Sequence, residues 1–228
     1  HHYWGLMLKE RARRIVNRWF SDSDSQTKIY NELIDVMGFE LESGRMKPEG
    51  PVGVKPRPFI VKVATEVVCK NGVTTEIEDI EKIFKEVDLQ TANYILPFLK
   101  VLPGINSFIK ECHEQGVQLG VVTTDITERG RKALQALEME NYFQYIIGGD
   151  QVINPKPASD SVDIILEQSG IERDKTAVIG DHTVDLQMGI TSGIGCNIGV
   201  LTGLGTRESL SPHTCQIIDS FKQLSIRS

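Results

Sequence analysis

No stretch of this sequence approaches the ~20 consecutive apolar residues that a bilayer-spanning helix requires. The beginning, HHYWGLMLKERARR, has too short an apolar run for a secretory signal and no small-residue cleavage site. Cysteine is scarce: Cys69, Cys112, Cys196 and Cys215 are scattered, with no CxxC spacing. They read as small buried hydrophobes in a reducing compartment, and the cytoplasm is the expectation. Positive charge is not in excess either. A net charge of -6 argues against nucleic acid or an anionic membrane as the main partner. It leaves room for a small anionic ligand, because one local positive group overrides the average. What remains is ordinary: 40% hydrophobic and 25% charged residues, as in a soluble globular protein. At 228 residues the chain fits one large domain, or one domain plus a smaller insert.

Residues 1 to about 95 read as helical. In LMLKERARRIVNRWF, the residues Leu8, Ala12, Ile15, Val16 and Trp19 share one face. A second stripe holds Ile29, Leu33 and Met37, with Tyr30 and Ile34 beside it. In TTEIEDIEKIFKEV, Thr75 and Glu78 have capping-box spacing, and Ile77, Ile80, Phe84 and Val87 form the stripe. Between these helices ESGRMKPEGPVGVKPRPF is rich in Pro and Gly and reads as a long loop.

From about residue 96 the pattern alternates. PGINSFIKECHEQG is an amphipathic helix stopped by Gly116, and QLGVV is a β-branched run after it. TERGRKALQALEM leads to YIIGG, SVDIILEQSG leads to TAVIG, and CNIGVLTG and CQIIDS close the chain. Short apolar strands alternating with helices imply an α/β class: a doubly wound, Rossmann-like parallel sheet with helices on both faces. In such sheets ligands sit beyond the carboxyl ends of the strands.

Three strand ends carry chemistry. QLGVV ends in Thr123, Thr124 and Asp125; after YIIGG comes NPKPASD, with Lys156 between two prolines; TAVIG ends at Asp181, with Asp185 four positions on. On one rim, these supply a hydroxyl, an ammonium and two carboxylates. The carboxylates suit Mg²⁺, which prefers oxygen ligands and keeps several waters. The lysine and hydroxyl suit the charge that builds on a transferring phosphoryl group. Singly, Thr123 reads as a strand-end residue, Lys156 as a solvated loop lysine, and the aspartates as helix N-terminal carboxylates. Their order along the chain favours a site.

The order VVTT…NPKPASD…VIGDHTVD resembles motifs two, three and four of haloacid dehalogenase-like hydrolases. VLPGINSFIKECHEQG and GVLTGLGTRESL resemble flanking segments of phosphoglycolate phosphatase-like members. The resemblance spans roughly residues 96 to 228. It implies that residues 96–228 are the α/β phosphatase core and residues 1–95 an inserted all-helical cap. It further implies a Mg²⁺-dependent phosphatase acting on a small phosphorylated metabolite through a phosphoaspartate. Thr123, Thr124 and Lys156 would bind substrate, with Thr123, Lys156 and Asp181 catalytic. Asp181 and Asp185 would serve the metal. His182 stands at a variable position and reads as a loop residue, and Thr124 replaces an asparagine common in relatives.

The family's first motif, an apolar strand ending in DxD whose first aspartate is the nucleophile, has no counterpart where it belongs. SDSDSQ offers Asp22 and Asp24, but the helical, arginine-bearing RRIVNRWF precedes it. The simpler reading is a helix start with Asp24 or Ser25 as N-cap. The expectation is a central first strand with DxD upstream of residue 1, since without it the neighbouring strands would bury unpaired backbone groups. The chain by itself could then bind metal but not form the phosphoaspartate. Three alternatives stand: a nucleotide-binding oxidoreductase using Gly189, Gly193 and Gly195; a phosphate-binding pseudoenzyme; and a phosphomutase of the same family. A further expectation is that the loop from Gly44 to Pro58, with Arg45, Lys47, Lys55 and Arg57, helps select an anionic substrate; a solvated basic loop is the plain alternative.

Overall fold

The structure is a computed structural model and describes residues 2–47, 50–52, 54–91 and 99–226. The chain divides into two compact units, His1–Phe98 and Leu99–Ser228. The boundary expected near residue 95 lies among residues 92–98, outside the described residues.

The first unit is built on four helices: α1 (His2–Trp19), α2 (Ser23–Val36), α3 (Arg57–Lys70) and α4 (Ile77–Thr91). Leu8, Ala12, Ile15 and Val16 are buried on one face of α1, as the helical period requires. They belong to the same apolar interior as Ile29, Leu33 and Ile34 of α2 and Ile80, Ile83, Phe84 and Val87 of α4. α1 packs on α2 and α4, and α3 packs on the same two helices.

Ile77, placed in the α4 stripe, opens that helix and stays 48% exposed. The Thr75 hydroxyl donates to Asp79 Oδ2 at 3.5 Å, rather than pairing with Glu78. Asp22, not Asp24 or Ser25, caps α2, its side chain accepting from Ser25 N at 2.8 Å. The Pro/Gly-rich segment is not loop throughout. Arg45–Met46 (β2) pairs antiparallel with Phe39–Glu40 (β1), and α3 begins at Arg57. A proline in the first turn of a helix gives up an N–H that has no intrahelical acceptor, so Pro58 is compatible with helix there. Reading proline only as a breaker hid that first turn.

The second unit alternates helix and strand: α5 (Ile105–Glu114), β3 (Gly120–Val122), α6 (Thr127–Ala136), β4 (Tyr145–Ile147), α7 (Asp160–Ser169), β5 (Ala177–Gly180), α8 (Thr183–Thr191), β6 (Cys196–Val200), α9 (Arg207–Leu210) and β7 (Gln216–Ile218). Gly116 and Gly170 end α5 and α7 with φ of 70° and 69°, angles that disfavour any residue with a Cβ. All strand pairs here are parallel. β3 pairs with β4, Val121 opposite Ile146, and β5, β6 and β7 form a three-stranded sheet with Ile179 opposite Ile198.

Helices cover both faces. Val122 of β3 and Val178 of β5 pack on one cluster formed by Val162, Leu166, Met188 and Ile194, which come from α7, α8 and the turn after it. Ile179, Ile198, Val200 and Ile218 gather with Phe221 and Leu224. The Phe221 ring lies 6.1 Å from that of Phe108 on α5. This is a doubly wound α/β core. Among the described residues no ladder joins β3 to β5. Both are only partly buried, although interior parallel strands are normally covered on both faces.

Candidate active site

Parallel strands put their carboxyl ends on one rim, and the residues singled out from sequence follow β3, β4 and β5 there. Thr123 continues β3: its N–H donates to the Ile147 carbonyl at 2.9 Å. Its Oγ1 accepts from Asp125 N at 3.1 Å. A hydroxyl that accepts in this way keeps its own proton to donate. Thr124 is next, partly buried, its carbonyl pressed close to Gly149, where an added Cβ would sit 2.8 Å from it. Asp125 ion-pairs with Arg129 at 2.9 Å and also accepts from Ile126 N at 2.8 Å.

Lys156 ties the three segments together. Its Nζ donates to the Val122 carbonyl at 2.9 Å, one residue before Thr123, and to Asp185 Oδ1 at 2.7 Å. The pair is largely sheltered, with side-chain exposures of 12% and 13%. The peptide bond from Lys156 to Pro157 is cis. A charged pair out of water loses hydration that only close geometry and further hydrogen bonds recover. Here the second oxygen supplies one: Asp185 Oδ2 accepts from His182 N at 3.1 Å.

That bond is half of a capping box. His182 is the N-cap of α8, and its Nδ1 accepts from Val184 N at 3.3 Å. His182, read from sequence as a loop residue, therefore helps start the helix that carries Asp185. Nothing in a sequence-level N-cap list, which favours Ser, Thr, Asp and Asn, points to a histidine in this role. Gly180 completes the fit, because a Cβ there would lie 2.2 Å from Asp185 Cβ.

Asp181 is held differently. Its Oδ2 accepts from Leu204 N at 3.1 Å, and its carbonyl accepts from Gly205 N at 2.7 Å. Its Oδ1 receives no hydrogen bond from any described residue, so it can face a hard cation. Both Asp185 oxygens, by contrast, already take protein donors, one of them an ammonium. Among the described residues there is no group of three or more His, Cys, Asp or Glu side chains able to enclose a metal. Of the two carboxylates, Asp181 is thus the one whose chemistry suits a hard cation such as Mg²⁺, which accepts few protein ligands and keeps several waters. Direct ligation by Asp185 does not fit this geometry.

The remaining expectations fall elsewhere. Asp22 and Asp24 sit at the exposed start of α2, where Asp22 caps the helix, and not at a strand end. Gly189 lies inside α8, where an added Cβ would meet Asn197 Oδ1 at 1.8 Å, and Gly193 has a φ of 69° just after the helix. These glycines serve packing and helix termination, not a dinucleotide loop. Arg57 heads α3 and pairs with Glu81 and Asp88, and Lys47 pairs with Asp35. Lys55 lies over the Phe59 ring, 5.9 Å from its centroid.

The chain belongs to the haloacid dehalogenase-like hydrolase family, whose profile matches residues 23–198. Among curated proteins it is 30% identical over 153 residues to "Probable phosphatase IndB" of Dickeya dadantii, covering 67% of this chain and 64% of that one. It is 30% identical over 111 residues to phosphoglycolate phosphatase of Escherichia coli, covering 48% of this chain and 43% of that one. The chain therefore spans less than two thirds of the length of these relatives. The solved β-phosphoglucomutase of Clostridium difficile has the same fold, with a TM-score of 0.67 at 16% identity, covering 97% of this chain and 86% of that one.

Proposed function

We propose that this protein is a Mg²⁺-dependent phosphatase that hydrolyses a small phosphomonoester, phosphoglycolate or a close analogue. The observation that carries the reading is the Lys156 ammonium bonded at once to the end of β3 and to Asp185 behind β5. It draws the strand end that leads into Thr123 and the helix start that follows Asp181 toward one rim. In this role Thr123 donates to a phosphoryl oxygen and Lys156 neutralises charge gained in the transition state. Thr124, next in the chain, would bind substrate beside Thr123. Asp181 would hold the metal, which would supply polarisation of the phosphoryl group. Asp185 fixes Lys156 and would serve the metal indirectly. Residues 1–95 act as the cap, and the cytoplasm is the setting. Phosphoglycolate is the substrate in the name of the Escherichia coli relative and comes to this chain as part of the proposal.

The nucleophile on this reading is an aspartate on a strand lying between β3 and β5. Supporting it, Val122 and Val178 rest on one apolar cluster while their strands share no ladder among the described residues. Attack through a phosphoaspartate divides hydrolysis into two easier displacements.

Phosphate release from p-nitrophenyl phosphate and a panel of metabolite esters by the full-length protein tests the proposal. Turnover that requires Mg²⁺ and is lost in Asp181→Asn is expected. Phosphate binding without any turnover would instead mark a non-catalytic binder. A sugar phosphate isomer in place of free phosphate would mark a mutase.

A further inference from the structure

We propose that the loop of residues 201–206, which follows β6, is the element that orients the Asp181 carboxylate, and that Gly203 is its positioning residue. The inference rests on the reading of Asp181 as the metal carboxylate. A Cβ added at Gly203 would lie 1.5 Å from Asp181 Oδ2, 2.2 Å from its Cγ and 2.6 Å from its Cβ. Rotating the carboxylate relieves the first two contacts but leaves the third, so a side chain here must push the backbone itself apart. The requirement is space and not backbone angle, because Gly203 is absent from the residues with positive φ.

Close approach lets the loop grip Asp181 from two sides. Leu204 N donates to Oδ2, and Gly205 N donates to the Asp181 carbonyl. Gly205 is crowded as well: its Cβ would lie 2.5 Å from the Asp181 carbonyl oxygen and 2.8 Å from Leu210 Cδ2. With Oδ2 engaged and the side chain walled in by Gly203, one oxygen, Oδ1, is left to point outward. A carboxylate held in one rotamer presents that oxygen without an ordering cost at each binding event.

The test is a double-mutant cycle in the full-length protein, pairing Gly203→Ala with Asp181→Gly, which removes every Asp181 atom named above except backbone. Two quantities are read: the urea midpoint without divalent metal, and the Mg²⁺ dissociation constant by calorimetry. Gly203→Ala should lower the midpoint in the parent but not in the Asp181→Gly background, and should weaken Mg²⁺ binding by about tenfold or more. Gly195→Ala, where an added Cβ meets nothing within 4 Å, should leave both unchanged. If Gly203→Ala does not fold, the double variant should recover folding. An equal loss in both backgrounds, or a folded Gly203→Ala that binds Mg²⁺ as tightly as the parent, overturns the proposal. A parent that binds no Mg²⁺ sinks the metal reading instead, while the midpoint cycle still decides whether Gly203 positions Asp181.

Discussion

Lys156 Nζ donates to Asp185 Oδ1 at 2.7 Å across 29 positions of sequence, and both side chains are nearly closed off from solvent. The lysine is therefore no mobile surface charge. Its ammonium is fixed by a carboxylate on one side and the Val122 carbonyl on the other, which leaves its third proton for a ligand.

Removing either partner leaves the other sheltered and short of its counter-charge. Lys156→Met and Asp185→Leu should each cost about 3 kcal/mol in urea unfolding. The double variant should lose less than the sum of the two, by about 1–3 kcal/mol. Additive losses would show that the pair is not coupled. Lys156→Arg should not restore activity, because a planar guanidinium cannot occupy the place of a compact ammonium.

Thr123 has a hydroxyl with two duties, accepting from Asp125 N and keeping a proton to give away. Thr123→Ser should keep both. Thr123→Val should lower kcat/KM by about 10- to 100-fold, the worth of one hydrogen bond to a charged group. Steady-state kinetics on any accepted ester decides this, and equal rates for Val and Ser variants would remove Thr123 from the chemistry.

In the helical unit, Asp88 is shared by two guanidiniums. Arg11 Nη2 donates to Oδ1 at 2.6 Å and Arg57 Nη1 to Oδ2, and both groups lie over Phe84, their Cζ atoms 4.3 and 5.8 Å from the ring centroid. Asp88→Ala should destabilise this unit by about 3 kcal/mol. Arg57→Ala should likewise act on stability and not on substrate affinity. Lys55, expected from sequence to work beside Arg57, is separable: Lys55→Ala should raise KM with kcat unchanged if it meets the substrate. An unchanged KM would end that role.

Acid sensitivity has a local source in Asp163. The Ser159 hydroxyl and then Arg173, 2.7 Å away, hold its carboxyl below the usual aspartate range. A depressed folded-state value means that the unfolded chain takes up the proton first. The stabilisation is complete above about pH 4, the ordinary aspartate value, and fades as pH falls through the lower folded one. Asp163→Asn should flatten the fall of Tm below about pH 4. A parallel acid limb in the two proteins would contradict this.

What could be read from the sequence was whatever depends on near neighbours. Helical period exposed the buried faces of α1 and α4, and β-branched runs between glycines marked β3 and β5. Thr123, Lys156 and Asp181 were visible because each follows a strand, and parallel strands must end on one rim. Shorter-range signals failed where several residues competed for one job. Asp22 capped α2 ahead of Asp24 and Ser25, and Pro58 passed for loop while sitting inside a helix.

The sequence by itself thus determined the elements, their order and which residues reach the rim, because hydrophobic period and strand ends are local properties of the chain. Only the tertiary structure decided what those residues do to one another. Asp185 spends both oxygens on Lys156 and His182, Arg57 belongs to an ion network, and a glycine 22 positions beyond Asp181 makes room for its carboxylate. Those outcomes depend on distances between segments remote in the chain, and such distances are set by packing.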